Sequence, residues 1–402
     1  MADRPPPDLT RGAGTQRGKP SGKVADFRYK RPSQPDHNDT ASAASPSARA
    51  RAAHPHRIHA GNGRTRRQAY AALDLGTNNC RLLIARPSGE NFTVIDAFSR
   101  VVRLGEDLAA TGRLSDEAME RALAALHICA EKLRRRNVHL ARSVATEACR
   151  RASNGADFIA RVREETGIVL DIISAQEEAR LAVLGCHILL ESGIGPAVIF
   201  DIGGGSTELV LIEPGGPVPR ILDWLSVPWG VVSLTDSVPP PDGTQQGRER
   251  RYAEMRRLVD ESFAPFAERV RPAMEEADTI RLLGTSGTVT TLASLHLELP
   301  QYDRQAVDGL IVPSDSMRGI CRRLSTISEA ERRTVPCIGD DRANLVVAGC
   351  AILESIMDLW PAPQLGVADR GIREGILRSL IAADAQGEEG RAMLARQREQ
   401  SL

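Results

Sequence analysis

The chain has 402 residues, a length that suggests two or three domains, and 42% of them are hydrophobic. No apolar run approaches the roughly 18 residues needed to span a bilayer, which excludes a membrane protein built on spanning helices. The 52 Lys+Arg and 52 Asp+Glu cancel, but the zero hides two unlike parts. Residues 1–68 hold 14 basic and 5 acidic side chains, a balance of +9, and the other 334 residues carry 38 and 47, a balance of −9.

Segment 1–68 contains 8 of the 24 prolines, with Gly, Ser and Arg and few aliphatic residues. It cannot bury enough apolar area to offset its ordering entropy, so a disordered basic tail is expected. It has no apolar core of a secretory signal. Its charge, with no aromatics interleaved beyond Phe27 and Tyr29, predicts only weak, salt-sensitive contact with a polyanion such as nucleic acid. Seven cysteines (Cys80, Cys129, Cys149, Cys186, Cys321, Cys337, Cys350) are odd in number and never spaced as CxxC. That argues against a disulfide framework or zinc site, and for buried thiols in a reducing cytoplasm.

Folded patterning starts at Ala69. The run Ala69-Tyr70-Ala71-Ala72-Leu73-Asp74-Leu75 reads as a buried strand ending in Gly76-Thr77-Asn78-Asn79, and strands over 80–85 and 92–97 follow. Strand, tight turn, strand, strand is a meander. Ser115 then caps a helix with Ala118, Ala122, Ala125, Ile128, Cys129 and Leu133 on one face. A strand over 143–145, two short helices and a strand over 168–173 lead to Ser174-Ala175-Gln176-Glu177. That spacing predicts a capping box, in which Ser174 and Glu177 satisfy each other's free N–H groups, on a helix running to about 192. Glu178 is left to point elsewhere.

The opening device then returns. A strand over 197–202 carries Asp201 into Gly203-Gly204-Gly205-Ser206 and a strand to 212, 127 residues after Asp74. Past a polar loop over 239–246, helices are expected over 252–271, 314–324 and 342–357. A strand over 280–283 runs into Gly284-Thr285-Ser286-Gly287-Thr288 and a helix. A strand over 365–368 meets the last helix, opened by Asp369-Arg370-Gly371, and residues 386–402 are expected to fray.

An Asp at a buried strand end, followed by a turn of Gly, Ser, Thr and Asn, suits phosphate and metal. Small residues let backbone N–H groups approach anionic oxygens, hydroxyls add donors, and the carboxylate can hold Mg²⁺ directly or through water. Two such turns, with a third loop able to place an anion at a helix N-terminus, make turns of purely structural use the poorer account. The Walker pattern is absent, Gly203-Gly204-Gly205 lacks the third glycine of a dinucleotide fingerprint, and Glu208 stands where a hydrolase elbow needs Gly. Glu208 shares a strand face with Ser206, so its side chain can return to the phosphate site as a metal ligand or proton acceptor. Arg103 and Arg150 are candidate phosphate clamps, although for either alone a surface salt bridge is the better account.

Taken together, AALDLGTNNCRLLI (71–84), VVRLGEDL (101–108), VATEACRRASNGADF (144–158), IISAQEEARLAVLG (172–185), VIFDIGGGSTELVLI (198–212), LLGTSGTVTTLA (282–293) and VADRGIREGIL (367–377) resemble the exopolyphosphatase/guanosine pentaphosphate phosphohydrolase (Ppx/GppA) family of actin-like phosphotransferases. The resemblance covers nearly all of 69–382. It implies an α/β fold of two ribonuclease-H-like domains with the active site in the cleft between them: domain I over 69–176 plus a C-terminal helix at about 370–385, domain II over 177–369. It assigns Glu178 as the base on the attacking water, with Glu208 assisting. Asp74, Asp201 and Glu208 would hold Mg²⁺ or another divalent cation. Gly76, Thr77, Asn78, Gly203, Gly204, Gly205, Ser206, Gly284, Thr285 and Ser286 would contact phosphates, and Arg103 the phosphate chain. The chain departs from the family pattern at Thr77-Asn78-Asn79 for Ser-Asn-Ser, at Ser286 for Gly, and at Asn344 for Asp, and it matches the short form without a helical HD-type domain.

The expected activity is removal of the terminal phosphate of inorganic polyphosphate, with guanosine pentaphosphate (pppGpp) as the alternative substrate. A sugar or acid kinase and a non-catalytic polyanion-binding protein are the rival readings. The oligomeric state, a homodimer included, is left open. An acidic body of −9 cannot attract a polyanion by bulk charge, so local arginines, backbone N–H groups and a cation must do so.

Overall fold

The computed structural model describes residues 68–387 except 90, 194, 216–217 and 276–279. Of the tail expected over 1–68 and the fraying expected over 386–402, residues 1–67 and 388–402 lie outside the described residues.

The chain enters at β1 (Ala69–Leu75), turns into β2 (Asn79–Ser88) and again into β3 (Asn91–Val101). Helices α1 (Leu108–Thr111) and α2 (Asp116–Arg135) lead to β4 (Val138–Ala145). Then come α3 (Glu147–Arg151), α4 (Gly155–Thr166), β5 (Leu170–Ile172) and α5 (Ala175–Cys186). The plan repeats with the meander β6 (Ala197–Ile202), β7 (Thr207–Glu213) and β8 (Arg220–Val227). Next are α6 (Val231–Ser237), α7 (Gln245–Glu275), β9 (Arg281–Thr285), α8 (Gly287–His296), α9 (Arg304–Val307) and β10 (Ile311–Pro313). The chain closes with α10 (Ser314–Thr326), α11 (Glu329–Thr334), α12 (Val346–Leu359), β11 (Gln364–Ala368) and α13 (Ile372–Ala385). Patterning does not predict α1, β8, α6, α9, β10 or α11, and the helix expected to 192 stops at Cys186, followed by a 3₁₀ turn.

The strands form two sheets, ordered β3-β2-β1-β4-β5 and β8-β7-β6-β9-β11-β10. Each has an antiparallel meander and two further parallel strands on the other side of its first strand. The second adds β10 as an antiparallel edge. This is an α/β fold of two ribonuclease-H-like sheets, the actin-like arrangement.

Side-chain alternation decides which helices cover which face. On β1, Ala71, Leu73 and Leu75 pack with the α2 residues Ala118, Ala122, Leu126 and Cys129. Tyr70 and Ala72, on the opposite face, meet Leu181 of α5 and Ile376, Leu377 and Leu380 of α13. The other side of α5, Ala179, Val183 and Cys186, packs on Ile199, Val210 and Ile212 of the second sheet. The far face of that sheet carries the largest core, against α7, α8, α10 and α12. Helix α5 is therefore packed between the two sheets.

Candidate active site

Asp74 has the parity of Tyr70 and Ala72, and Asp201 that of Ala197 and Ile199. Both carboxylates thus face the layer between the sheets, at the carboxyl ends of their strands, where open α/β sheets bind ligands. There they line one cavity of about 130 Å³. Its walls include Gly76, Thr77 and Asn78 of the first turn, Gly203, Gly204, Gly205 and Ser206 of the second, Glu178 and Glu208, and Ser286 at the cap of α8. The two turns touch: a Cβ on Gly205 would lie 2.6 Å from Thr77 Oγ1, and one on Gly204 would lie 3.0 Å from Thr77 Cβ. Only glycine permits that approach.

The two hairpins share a register with different chemistry. Asp201 pairs with Glu208 across β6–β7, and Asp74 pairs with Arg81 across β1–β2. Paired residues share a face, so one half presents two acids and the other an acid and a guanidinium. Glu208 Oε1 accepts hydrogen bonds from Ser206 Oγ at 2.7 Å and Ser226 Oγ at 2.9 Å.

Glu178 lies in the first turn of α5 and is buried. Arg150 holds it, Nη1 donating to Glu178 Oε2 at 3.1 Å and to the Ile173 carbonyl at 2.7 Å, while Nη2 pairs with Glu147. The capping box predicted at this helix is only half formed. Ser174 Oγ accepts the Glu177 N–H at 3.2 Å, but the Glu177 carboxylate turns inward to Arg142 and Arg180. Two guanidinium partners outweigh one backbone N–H.

Burial pushes the Glu178 carboxyl well above the usual range, reinforced by the Glu208 charge and opposed by Arg150. Burial, with Glu208 and Asp74 nearby, pushes Asp201 up to about 8. Glu208 is pushed up to about 7 by burial, against the pull of its two serine hydrogen bonds and Arg150. Asp74 is raised by burial and partly restrained by Arg81 and Arg373. Four acids crowded in one buried site resist ionising together.

A cation would relieve that crowding, and the donors fit a hard one. Asp74 Oδ1 is buried with no hydrogen-bond partner among the described residues. Among those residues no three Asp, Glu, His or Cys side chains converge as a ready cage. Mg²⁺ does not need one, since it keeps several waters and is commonly held by one or two carboxylates and substrate phosphates.

Three expected contacts are not brought into the cavity wall. Arg103 reaches across to Asp341, 3.4 Å away and exposed like itself. Gly284 lies inside β9 under the Phe200 ring, and Thr285 Oγ1 donates to the Arg370 carbonyl at 2.7 Å. Sequence reasoning missed Arg81, Thr146, Glu147 and Arg342, which do line the cavity. Arg81 had a signal, because it stands seven residues after Asp74 as Glu208 does after Asp201. Arg342, which donates to Thr291 Oγ1 at 2.8 Å and reaches the Gly287 carbonyl, had none.

The Ppx/GppA phosphatase family model matches residues 83–383. The chain belongs to the Ppx/GppA phosphatase family. Membership makes it a phosphoanhydride hydrolase. It is 34% identical over 328 residues to Exopolyphosphatase 2 of Mycobacterium tuberculosis, covering 77% of this chain and 98% of that one. The crystal structure of the Aquifex aeolicus family member aligns with TM-score 0.63 at 28% identity over 79% of this chain and 98% of its own. An exopolyphosphatase from Cytophaga hutchinsonii shares the fold, with TM-score 0.68 at 24% identity over 78% of this chain and 98% of its own. No described helix of this family member is long and apolar enough to cross a membrane.

Proposed function

We propose that the protein removes the terminal phosphate of inorganic polyphosphate by water activated at Glu178. The observation that carries this reading is Glu178 itself, a buried carboxylate held by Arg150 in the wall of a small cavity between two Asp-ended turns. The relative named Exopolyphosphatase 2 supports the substrate class.

In the proposed reaction Glu178 takes a proton from water, whose oxygen attacks the terminal phosphorus as the bridging P–O bond breaks in line. The remaining chain leaves on its own oxygen. Raised proton affinity makes Glu178 a stronger acceptor than an ordinary carboxylate, and Arg150 favours its ionised form. Backbone N–H groups of the Gly76–Asn78 and Gly203–Ser206 turns, with Arg81 and Arg342 of the cavity wall, would meet equatorial oxygens. Asp74, Asp201 and Glu208 would hold Mg²⁺, which when bound supplies charge neutralisation to the phosphates. Domain I, on this reading, runs over 69–176 with α13 returning to it, domain II over 177–369, and the seven free thiols suit the cytoplasm.

The test is phosphate release from long-chain polyphosphate and from pppGpp, with and without Mg²⁺. Faster release from pppGpp would move the assignment to guanosine pentaphosphate hydrolysis. Glu178→Gln should lower turnover by about 10²–10⁴-fold while ligand binding persists, and near wild-type turnover would sink the assignment to Glu178.

A further inference from the structure

Glu178 leaves the first turn of α5, and that turn is tied to the first sheet by a pair of charges lying almost wholly out of solvent. Arg142 Nη1 donates to Glu177 Oε1 at 2.8 Å, with the two side chains 1% and 7% exposed. Arg180, one turn further along, donates to the same carboxylate at 2.6 and 3.0 Å. Arg142 stands on β4 in register with Ala72 of β1, two residues before Asp74. Neither Arg142 nor Glu177 lines the cavity.

Arg142 is an expensive residue for stability alone. Its Nε and Nη2 have no hydrogen-bond partner among the described residues, so a buried guanidinium is matched at one nitrogen. A hydrophobic pair of similar volume usually serves a fold as well or better. What the ion pair supplies is placement. The strand that ends in Asp74 is laddered to β4, β4 carries Arg142, Arg142 grips Glu177, and the next residue is Glu178. Arg150, eight residues after Arg142, holds the Glu178 carboxylate from the same strand–helix unit. Backbone and side chain of Glu178 are thus both referred to one rigid element.

We propose that Arg142 is a positioning residue which, through Glu177, sets where Glu178 meets the attacking water relative to the Asp74 strand end. This rests on Glu178 as the base. A misplacement of about 1 Å at a reacting group can cost about 10²-fold in rate, so the effect belongs in kcat, with KM unchanged.

The experiment compares full-length wild type, Arg142→Lys, the double variant Arg142→Met/Glu177→Met, and Glu178→Gln, each with Mg²⁺ and polyphosphate, alongside thermal melting. The double variant leaves no lone buried charge on this pair, and Arg180, whose side chain is 33% exposed, can turn to solvent. It is expected to fold, with kcat down about 10–100-fold at unchanged KM. Arg142→Lys keeps the charge but not the guanidinium reach, and is expected between the two, with kcat about 2–5-fold down. Wild-type kcat in a folded double variant overturns the proposal. Should the double variant not fold, Arg142→Lys decides: wild-type kcat overturns the proposal and a fall at constant KM supports it. If Glu178→Gln keeps its turnover, the base assignment fails first, whereas an inactive Glu178→Gln beside fully active Arg142 variants defeats only the positioning role.

Discussion

Arg150 Nη1 lies 3.1 Å from Glu178 Oε2, so the candidate base is backed by a fixed positive charge. Burial and Glu208 drive the Glu178 carboxyl upward, and Arg150 opposes them. Replacing Arg150 with Gln removes the opposing charge and lets the proton affinity climb further. The acid limb of the kcat–pH profile should therefore move to higher pH, with turnover at neutral pH falling at least about 10-fold. An acid limb that stays in place would show that Arg150 does not tune Glu178.

The acidic cluster also sets a pH dependence of stability. Asp201 is pushed up to about 8 and Glu208 to about 7, whereas unfolded carboxyls titrate near about 4. A raised folded value contributes stability that is complete below the unfolded value and lost as pH rises through the folded one. Asp96 and Glu177 work the other way. Burial raises each, but Lys132 and Arg136 for Asp96, and Arg180 and Arg142 for Glu177, hold them below the usual range. Their stability is lost only as pH falls below about 4. Protein melted in a chelator should thus lose stability from pH 5 to pH 8, and Mg²⁺ should restore most at pH 8. Asp201→Asn should be more stable than wild type in chelator at pH 8, by on the order of 1 kcal/mol or more, and release no phosphate. A melting temperature that climbs steadily to pH 8 in chelator would refute the cluster's role.

Helices α5 and α13 cross with backbone against backbone. A Cβ on Gly375 would fall 2.0 Å from the Leu181 carbonyl oxygen, and one on Gly185 2.0 Å from that of Gly371. Gly375→Ala should cost roughly 1–3 kcal/mol or more in denaturant titration, since the helices must part. It should also lower kcat, because α5 carries Glu178. Gly319, exposed in α10 with nothing within 4 Å of its would-be Cβ, is the control. Gly319→Ala should stabilise by about 0.5–1 kcal/mol, and equal effects at the two sites would contradict the close crossing.

Strands whose neighbours and turns are local announce themselves. β1 and β6 are unbroken apolar runs ending in Asp and small residues, so the repeated hairpins and their carboxylates are legible without coordinates. β8 and α6 are not, because β8 is half-buried along its length and reads as neither face. The capping box at Ser174 failed for a tertiary reason, since the partner that claims Glu177 is Arg142, 35 residues earlier. Glu147 and Arg342 reach the cavity only through the packing of strand ends and helices from distant segments. Local spacing carries no trace of that, whereas Arg81 was readable from its offset alone.

The cavity holds about 130 Å³, well short of the roughly 300–1,000 Å³ that encloses a whole small-molecule ligand. On the proposed reading such a chamber would work as a gauge, admitting the blunt end of a phosphate chain and leaving the rest outside. Each turnover would then have a unit of one phosphorus, and a ring of phosphates, having no end to offer, would present nothing to cut.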